Sequence, residues 1–227
     1  MFSVIFEVQP RPEQWDAYLG YAKMLRPELE KIDGFVDNVR YRSLTREGWI
    51  LSLSGWRDEK ALVRWRIHAG HHEAQGKGRD RVLQDYHLRV GQVTYDTAIP
   101  EGEALQEQRL DKTEAGDSTT VVLVDGIRDA DWVRNTAPAE IARFLQLDPA
   151  AQGLVSWDVF DAVLSRGEII LLSSWKEEAD ANAFRQAIRV AEGTRVRQVR
   201  VVRDYGMIDR REAPQYYPPV ARDEPRR

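Results

Sequence analysis

Aromatic and imidazole side chains are concentrated in one short stretch of the first half of the chain. It contains Trp56, Trp65, His68, His71 and His72, and so three of the four histidines in the sequence. A neutral imidazole can take up a proton near pH 6.5, and indole rings provide flat apolar walls for an aromatic ligand. These residue types predict proton abstraction from a phenolic substrate, with His68 or His71 as acceptor beside Trp65.

Other uses of the same side chains stay open. His68 and His72 are four residues apart, a spacing that places both on one face of an unbroken helix and can hold a metal. A metal site needs a third ligand, and none is apparent locally, so no metal is expected. The histidines can equally cap the helix end, and Trp56 and Trp65 can be core residues.

The second predicted strand carries further candidates. Alternation along this strand sends Asn38 and Arg40 to one face and Tyr41 to the other. On a helix-covered face, Asn38 or Arg40 would be a good donor to a developing oxyanion; on the other face they would be interface groups. Tyr86, in the predicted fourth strand, can point to the same cavity. The predicted substrate-binding residues are Trp56, Asn38, Arg40, Tyr41, Tyr86 and His72.

The stretch around Trp56 recurs later in the chain, which indicates an internal duplication. Trp56 and Trp175 are 119 positions apart, and so are Gly34 and Gly153. Beyond the second helix the offset falls to 115, because the second copy lacks about one helical turn in the region that corresponds to positions 68–78. That turn holds the histidines. We therefore expect the first copy to keep a site and the second to be mainly structural.

Each copy shows the β-α-β-β-α-β order of a ferredoxin-like unit, which predicts an α+β fold with two such units in tandem. The bare face of each sheet needs a cover, so the units should form a pseudo-dimer within one chain or exchange between two chains as a homodimer. A break or kink is expected near Arg26, before Pro27, and a short helix around 104–110. The predicted organisation is a first unit at 1–96, a linker at 97–118, a second unit at 119–209 and a Pro- and Arg-rich tail at 210–227, whose Tyr216 and Tyr217 could dock on the first unit.

Composition excludes several classes of protein. The net charge of −4 argues against nucleic-acid binding, and the absence of cysteine excludes disulfides and thiol nucleophiles. No apolar run approaches the roughly 20 residues of a membrane span, so no membrane partner and a cytoplasmic location are expected. A phosphate-binding loop and a Ser-His-Asp arrangement are both missing.

The segment 54–71 resembles the signature of the antibiotic biosynthesis monooxygenase domain, in the dimeric α/β-barrel superfamily. A Trp ends the third strand, an acidic turn opens the helix, and the run Trp65-Arg-Ile-His68-Ala-Gly-His71 follows, with Gly78-Arg79 after it. The resemblance covers about 1–96 and, more weakly, 119–209. It implies the barrel fold and a cofactor-independent monooxygenase that oxidises an electron-rich aromatic or quinone-forming small molecule.

Two alternatives come with this resemblance. The haem-degrading branch has an Asn in its first strand and an axial His about ten residues after the Trp, whereas this chain has Phe6 and Glu7 in the strand and Gln75 at the later position. His71 or His72 could still serve as a haem ligand if the helix end shifts. A non-catalytic structural or stress-related protein of the same fold is the second alternative.

Overall fold

The computed structural model describes residues 1–217, so the end of the tail, with Pro218, Pro219 and Pro225, lies outside the described residues. The first half follows the predicted order, with its second helix split in two. Its elements are β1 (Phe2–Pro10), a 3-10 turn (Pro12–Gln14), α1 (Trp15–Glu30), β2 (Phe35–Ser43), β3 (Ile50–Trp56), α2 (Glu59–Ile67), α3 (Ala69–Lys77), a π-helical turn (Gly78–Val82) and β4 (Leu83–Asp96).

The second half repeats the order, with its first helix interrupted before Pro138 as predicted. Its last helix leads to the final strand with no counterpart of α3, in agreement with the shorter offset. Within the described part of the chain, no helix is both long and apolar enough to cross a membrane. The elements are β5 (Thr120–Ile127), α4 (Ala130–Asn135), α5 (Pro138–Phe144), β6 (Leu154–Ala162), β7 (Glu168–Trp175), α6 (Glu178–Ala187) and β8 (Arg195–Gly206).

The eight strands close into one barrel, in the order β1-β3-β2-β6-β7-β5-β8-β4. Two antiparallel seams join the halves: β2 pairs with β6, placing Tyr41 opposite Ala162, and β4 pairs with β8, placing Leu88 opposite Tyr205. The predicted pseudo-dimer is therefore confirmed, and its two units pair within one chain. Closure of the sheet does not require a second chain, and a homodimer stays a prediction.

Every strand sends alternate side chains into the barrel, and most of these inward side chains are apolar. Burying this surface is the main favourable contribution to folding, at about 25 cal/mol per Å². The helices pack outside, against the opposite faces of the strands. The inner cluster includes Ile5, Tyr41, Leu53, Val93, Leu123, Phe160, Leu172 and Val201.

A buried ionic network lies among these inward side chains. Glu7 is bound by Arg89 and, at 2.5 Å, by Arg46, which also pairs with Asp158 at 2.8 Å. Arg89 Nη1 donates to Ser174 Oγ at 2.7 Å. Burial opposes ionisation of Glu7, but the two guanidinium groups hold its pKa below the usual value. Since Asp158 and Ser174 belong to the second unit, this network ties the halves together from inside.

Two local predictions are wrong. Residues 104–110 are irregular rather than helical, because the Gln92 side chain binds their backbone: it donates to Gln106 O at 2.8 Å and accepts from Gln108 N at 3.0 Å. Helix α1 runs through Pro27 to Glu30, so the predicted break near Arg26 is wrong, and a kink there stays a prediction. Pro27 is exposed, so the carbonyl that loses its helical partner can be hydrated.

The turn between β6 and β7 gives a stability prediction. Gly167 has φ +95°, and a Cβ at this position would overlap the carbonyl oxygen of Arg128. Gly102 has a similar φ of +81° with no atom within 4 Å of such a Cβ. We expect Gly167→Ala to lower the free energy of unfolding by about 2 kcal/mol or more, and Gly102→Ala by about 1 kcal/mol. Urea unfolding of both variants measures this, and equal losses would contradict it.

Candidate active site

A cavity of about 260 Å³ lies between the helices of the first unit and the outer face of its sheet. Strands β1 to β4 form its floor, and α1, α2 and α3 cover it. Two elements from elsewhere complete its wall: β8 contributes Arg203 and Tyr205, and the chain after β8 contributes Arg210 and Tyr217. The site that the sequence assigns to the first unit is thus closed in part by the second half of the chain.

The two copies differ at the aromatic pair next to this space. The indole N–H groups of Trp56 and Trp175 each donate to the serine hydroxyl two residues earlier, at 2.9 and 3.0 Å. In the second unit Phe184 stacks on Trp175, with ring centroids 5.1 Å apart. Trp65, at the position equivalent to Phe184, stacks on His71 at 4.3 Å and 12°. The additional turn therefore gives Trp65 a new partner on the helical side of the cavity.

The hydrogen bonds of His71 fix its tautomer. Its Nδ1 lies 2.9 Å from the backbone oxygen of Trp65, and because a carbonyl oxygen can only accept, Nδ1 carries the hydrogen. Nε2 is then the acceptor. Its neighbour is the amide nitrogen of Gln75 at 3.5 Å, the upper limit of a hydrogen bond. His71 lines the cavity and offers it a weakly engaged lone pair.

Burial lowers the pKa of His71 to about 4, and the nearby His68 and His72 act in the same direction against the Trp65 carbonyl. The imidazole is therefore neutral near pH 7 and ready to accept a proton. It is also a weak base: taking a proton from a phenol of pKa about 10 crosses about six pKa units, or about 8 kcal/mol. Most of that cost must be offset by groups that stabilise the resulting anion.

His68 and His72 do not join His71 in the cavity. His68 has φ −58° and ψ 129°, so it ends α2 and precedes α3, and the unbroken helix that would align it with His72 is not present. The His68 ring lies 5.5 Å from Trp65. His72 is exposed and faces the Tyr217 ring at 5.9 Å. Among residues 1–217, no cluster of three or more His, Cys, Asp or Glu side chains could hold a metal.

Asn38 and Arg40 lie on the helix-covered face of β2 and line the cavity. Asn38 Nδ2 donates to Ser52 Oγ at 3.0 Å and to Leu53 O at 3.1 Å, which leaves Oδ1 buried and without a partner among the described residues. Arg40 lies near Tyr18 of α1. Burial raises the pKa of Tyr18, and the Arg40 charge opposes this effect. Arg40 and Asn38 thus offer one cation and one acceptor to a bound molecule.

Tyr41 is placed differently from the predicted substrate-binding set. It points into the barrel, where it is 6% exposed, because alternation along β2 turns it away from Asn38 and Arg40. There it borders a second cavity of about 220 Å³ with Asp125 and Arg197. Burial raises the pKa of the Tyr41 phenol. Tyr41 cannot contact a molecule in the first cavity.

Tyr86 reaches the first cavity at the end away from Asn38. Its hydroxyl oxygen accepts from Arg79 Nη1 at 2.7 Å and from Arg210 Nη1 at 2.5 Å. Arg79 is 4% exposed and also donates to Met207 O at 3.3 Å. Two guanidinium groups on one phenol oxygen make this end strongly positive.

The cavity as a whole carries excess positive charge. Its one acidic lining residue, Glu59, pairs with Arg109 at 2.8 Å. In the part of the chain that the structure describes, five lining arginines have no carboxylate partner within 4 Å. One of them, Arg79, is buried, where a cation without a counter-ion is costly, and the other four are half-buried, so an anionic ligand would be favoured. These arginines are Arg40, Arg66, Arg79, Arg203 and Arg210.

Comparison with known proteins identifies the family of this chain, and the matching family model covers most of the unit that contains the cavity. The family model described as antibiotic biosynthesis monooxygenase matches residues 1–77. A protein of Pyricularia oryzae named jasmonate monooxygenase ABM is 50% identical over 226 residues, which cover 97% of this chain and 100% of that protein. The chain belongs to the antibiotic biosynthesis monooxygenase family.

Solved structures resemble this family member at the level of fold. An aldoxime dehydratase in complex with butyraldoxime has a TM-score of 0.54 at 11% identity, with 88% of this chain and 79% of that chain covered. A structure titled antibiotic biosynthesis monooxygenase has a TM-score of 0.36 at 17% identity, with 40% of this chain and 95% of that chain covered.

The cavity of this family member does not fit haem in its present form. Gln75 occupies the position ten residues after Trp65, and its amide oxygen accepts from Tyr217 at 3.0 Å. His71 is stacked flat on Trp65, with the Gln75 amide beside its Nε2. Haem would require both the helix end and Tyr217 to move.

Several lining residues were not recognisable as site residues in the sequence. Tyr18 follows the helical spacing of a core face, and Arg203 and Tyr205 belong to an alternating strand of the other unit. They reach the cavity because β4 and β8 pair across the seam. Tyr217 was noted in sequence as a residue that could dock on the first unit, and it does; Tyr216 is 86% exposed.

Proposed function

We propose that this family member is a monooxygenase that acts on a small, largely apolar organic acid of the jasmonate type, bound as its anion in the first cavity. The observation that carries this proposal is the set of five lining arginines without carboxylate partners in residues 1–217. Apolar side chains such as Val4, Leu62 and Leu88 form much of the remaining wall. A ligand with one negative end and an apolar body matches this distribution.

The Pyricularia oryzae relative supports the same substrate class. Its name gives jasmonate, a carboxylic acid that is otherwise mostly apolar, as its substrate. At 50% identity over nearly the whole of both chains, the two proteins share the fold and the order of the elements that form the cavity. We therefore place the acid in the cavity between α1–α3 and the first sheet.

The source of the electrons that reduce O₂ distinguishes the oxygenation of such an acid from the reaction expected for aromatic substrates. Converting a C–H bond into an alcohol with O₂ forms one water and uses two electrons and two protons from another donor. A reduced nicotinamide or flavin is the chemical class that supplies them. His71 cannot start this hydroxylation by proton abstraction, because an unactivated C–H bond is far less acidic than a phenol, whose deprotonation by this imidazole already costs about 8 kcal/mol.

Cofactor-independent oxidation of an electron-rich phenol is a second candidate, favoured by His71. The His71 ring lines the cavity and stacks on Trp65 with Nε2 as its acceptor nitrogen, and Arg40 of the same cavity can stabilise a phenolate. In a substrate such as an anthrone, the carbon that is oxidised is an activated methylene, which becomes a ketone. This reaction needs no electrons from another donor, because CH₂ and O₂ give C=O and H₂O. Here the substrate supplies all four electrons that reduce O₂.

Oxygen uptake distinguishes these proposals. Purified full-length protein is incubated with jasmonate, with and without reduced nicotinamide or flavin, and with an anthrone in the absence of any donor; products are identified by mass. An oxygenated jasmonate that forms only with the donor supports the first proposal. Oxidation of the anthrone without a donor supports the second. If neither compound gains oxygen from ¹⁸O₂, both proposals are wrong. In a parallel titration, adding haem to the protein is expected to cause no shift of the Soret band.

A further inference from the structure

The C-terminal segment (residues 209–217) supplies polar groups to a cavity that otherwise belongs to the first unit. Arg210 Nη1 donates to Tyr86 Oη, and Arg210 Nη2 donates to Gln215 O at 2.9 Å. Tyr217 covers the same end, with its ring 5.4 Å from the guanidinium carbons of both Arg79 and Arg210. The segment thus adds a second cation next to the one that the first unit provides.

The hydrogen bonds at Tyr86 leave one donor unused. Tyr86 Oη accepts from both Arg79 and Arg210, and its O–H proton remains available to donate. Among residues 1–217, no acceptor lies within hydrogen-bond distance of this proton. A hydroxyl donor flanked by two guanidinium groups forms a three-point site for an anion.

A specific attachment holds the segment in this position. The Glu212 carboxylate accepts from the hydroxyl of Thr113 at 2.7 Å and from the backbone nitrogens of Glu114 at 2.7 Å and Asp204 at 2.6 Å. Partial burial opposes ionisation of Glu212, but these hydrogen bonds lower its pKa. Asp204 lies in β8, and Thr113 precedes β5. Glu212 therefore fixes the segment to the second half of the chain, while Arg210 faces the first.

We propose that Arg210 and Arg79 together bind the carboxylate of the substrate, with the Tyr86 hydroxyl as third donor. This inference rests on the proposed function, because it assigns one end of the cavity to the acid group. It adds that the preference for an anion depends on the C-terminal segment, which the family model does not include. The apolar body of the acid then extends toward Trp65 and His71.

The test compares an acid with its neutral ester. The full-length protein binds jasmonate and methyl jasmonate, and quenching of tryptophan fluorescence gives both Kd values. Arg210→Gln is expected to raise the Kd for jasmonate about 10- to 100-fold, the loss of one charge-assisted hydrogen-bonding partner, and to leave the Kd for the ester nearly unchanged. Arg210→Lys keeps the charge and should restore most of the preference for the acid.

Arg211→Gln is the matched control, since Arg211 is the adjacent residue but is exposed and paired with Asp209. Its Kd values should equal those of the wild type. Glu212→Gln provides a second variant that changes no charge in the cavity: loosening of the segment should weaken jasmonate binding by severalfold while ester binding changes less.

The outcomes separate the inference from the proposed function. If the wild type prefers the acid and Arg210→Gln retains that preference with unchanged thermal stability, the anchoring role of Arg210 is wrong and the proposed substrate class stands. If the wild type binds acid and ester equally, the proposed substrate class fails, and the anchor fails with it. Loss of the preference in Arg210→Gln but not in Arg211→Gln supports the anchor.

Discussion

Replacing His71 with phenylalanine is expected to reduce turnover about 10²- to 10⁴-fold, the usual contribution of a positioned proton acceptor. Phenylalanine preserves a flat ring on Trp65 but removes the acceptor nitrogen Nε2. The measurement is kcat for the donor-independent oxidation of an electron-rich phenol or anthrone, the reaction in which His71 would take up the proton. The Kd of the substrate should change far less than kcat, because the ring that contacts it is retained.

The same substitution should change how stability depends on pH. The pKa of His71 is about 4 in the folded protein and about 6.5 when unfolded. Between these values the unfolded state binds the proton and the folded state does not, so the free energy of unfolding falls as pH falls from 6.5 to 4. His71 therefore makes the free energy of unfolding about 3 kcal/mol lower below pH 4 than above pH 6.5.

Urea unfolding from pH 4 to 8 tests this directly. His71→Phe should lack this part of the pH dependence, whereas Glu73→Phe, at an exposed position of the same helix paired with Lys77, should keep it and keep wild-type turnover. If the pH dependence of stability is the same in the wild type and in His71→Phe, the imidazole is not buried in its neutral form. Unchanged kcat in His71→Phe would remove it from the chemistry.

Arg89→Met is expected to lower the free energy of unfolding by about 3–5 kcal/mol, the usual cost of breaking a buried ion pair from one side. Arg89 is 2% exposed, and its removal leaves the Glu7 carboxylate inside the barrel with Arg46 and with His87, whose Nδ1 lies 3.7 Å from Glu7 Oε2. It also removes the donor to Ser174, so the contact between the halves weakens. Chemical denaturation at pH 7 measures the loss.

Two comparisons make this result specific. Arg134→Met removes an arginine whose ion pair with Asp131 is exposed, and should change stability by less than about 0.5 kcal/mol. Adding Glu7→Gln to Arg89→Met removes the uncompensated charge and should recover part of the loss. A loss below about 1 kcal/mol in Arg89→Met would show that water or Arg46 fully compensates Glu7.

The repeat offsets predicted the architecture well, for a physical reason. A duplicated unit must bury the same apolar faces twice, so the order of elements in each copy and the missing turn can both be read from spacing alone. The helix between positions 104 and 110 was wrong because its backbone groups are bound by Gln92, a residue distant in sequence. Local patterns do not contain such competition.

The candidate site was only partly predictable. The sequence indicated Trp56, Trp65, the group of three histidines near them and the alternation that places Asn38 and Arg40 together. It could not choose among the three histidines, because that choice depends on a helix break at His68, which turns His71 toward the cavity and His72 toward the surface.

A duplicated α+β chain with one copy enriched in aromatic and imidazole groups is predictable from the sequence, because periodicity and repeat offsets are properties of the linear chain. The charge of the cavity and the residues of its far wall depend on the tertiary structure. Arg203 and Arg210 lie more than a hundred residues from Trp65 and reach its cavity through the β4–β8 seam. Strand pairing at that distance sets which arginines lack acidic partners, and no local pattern encodes it.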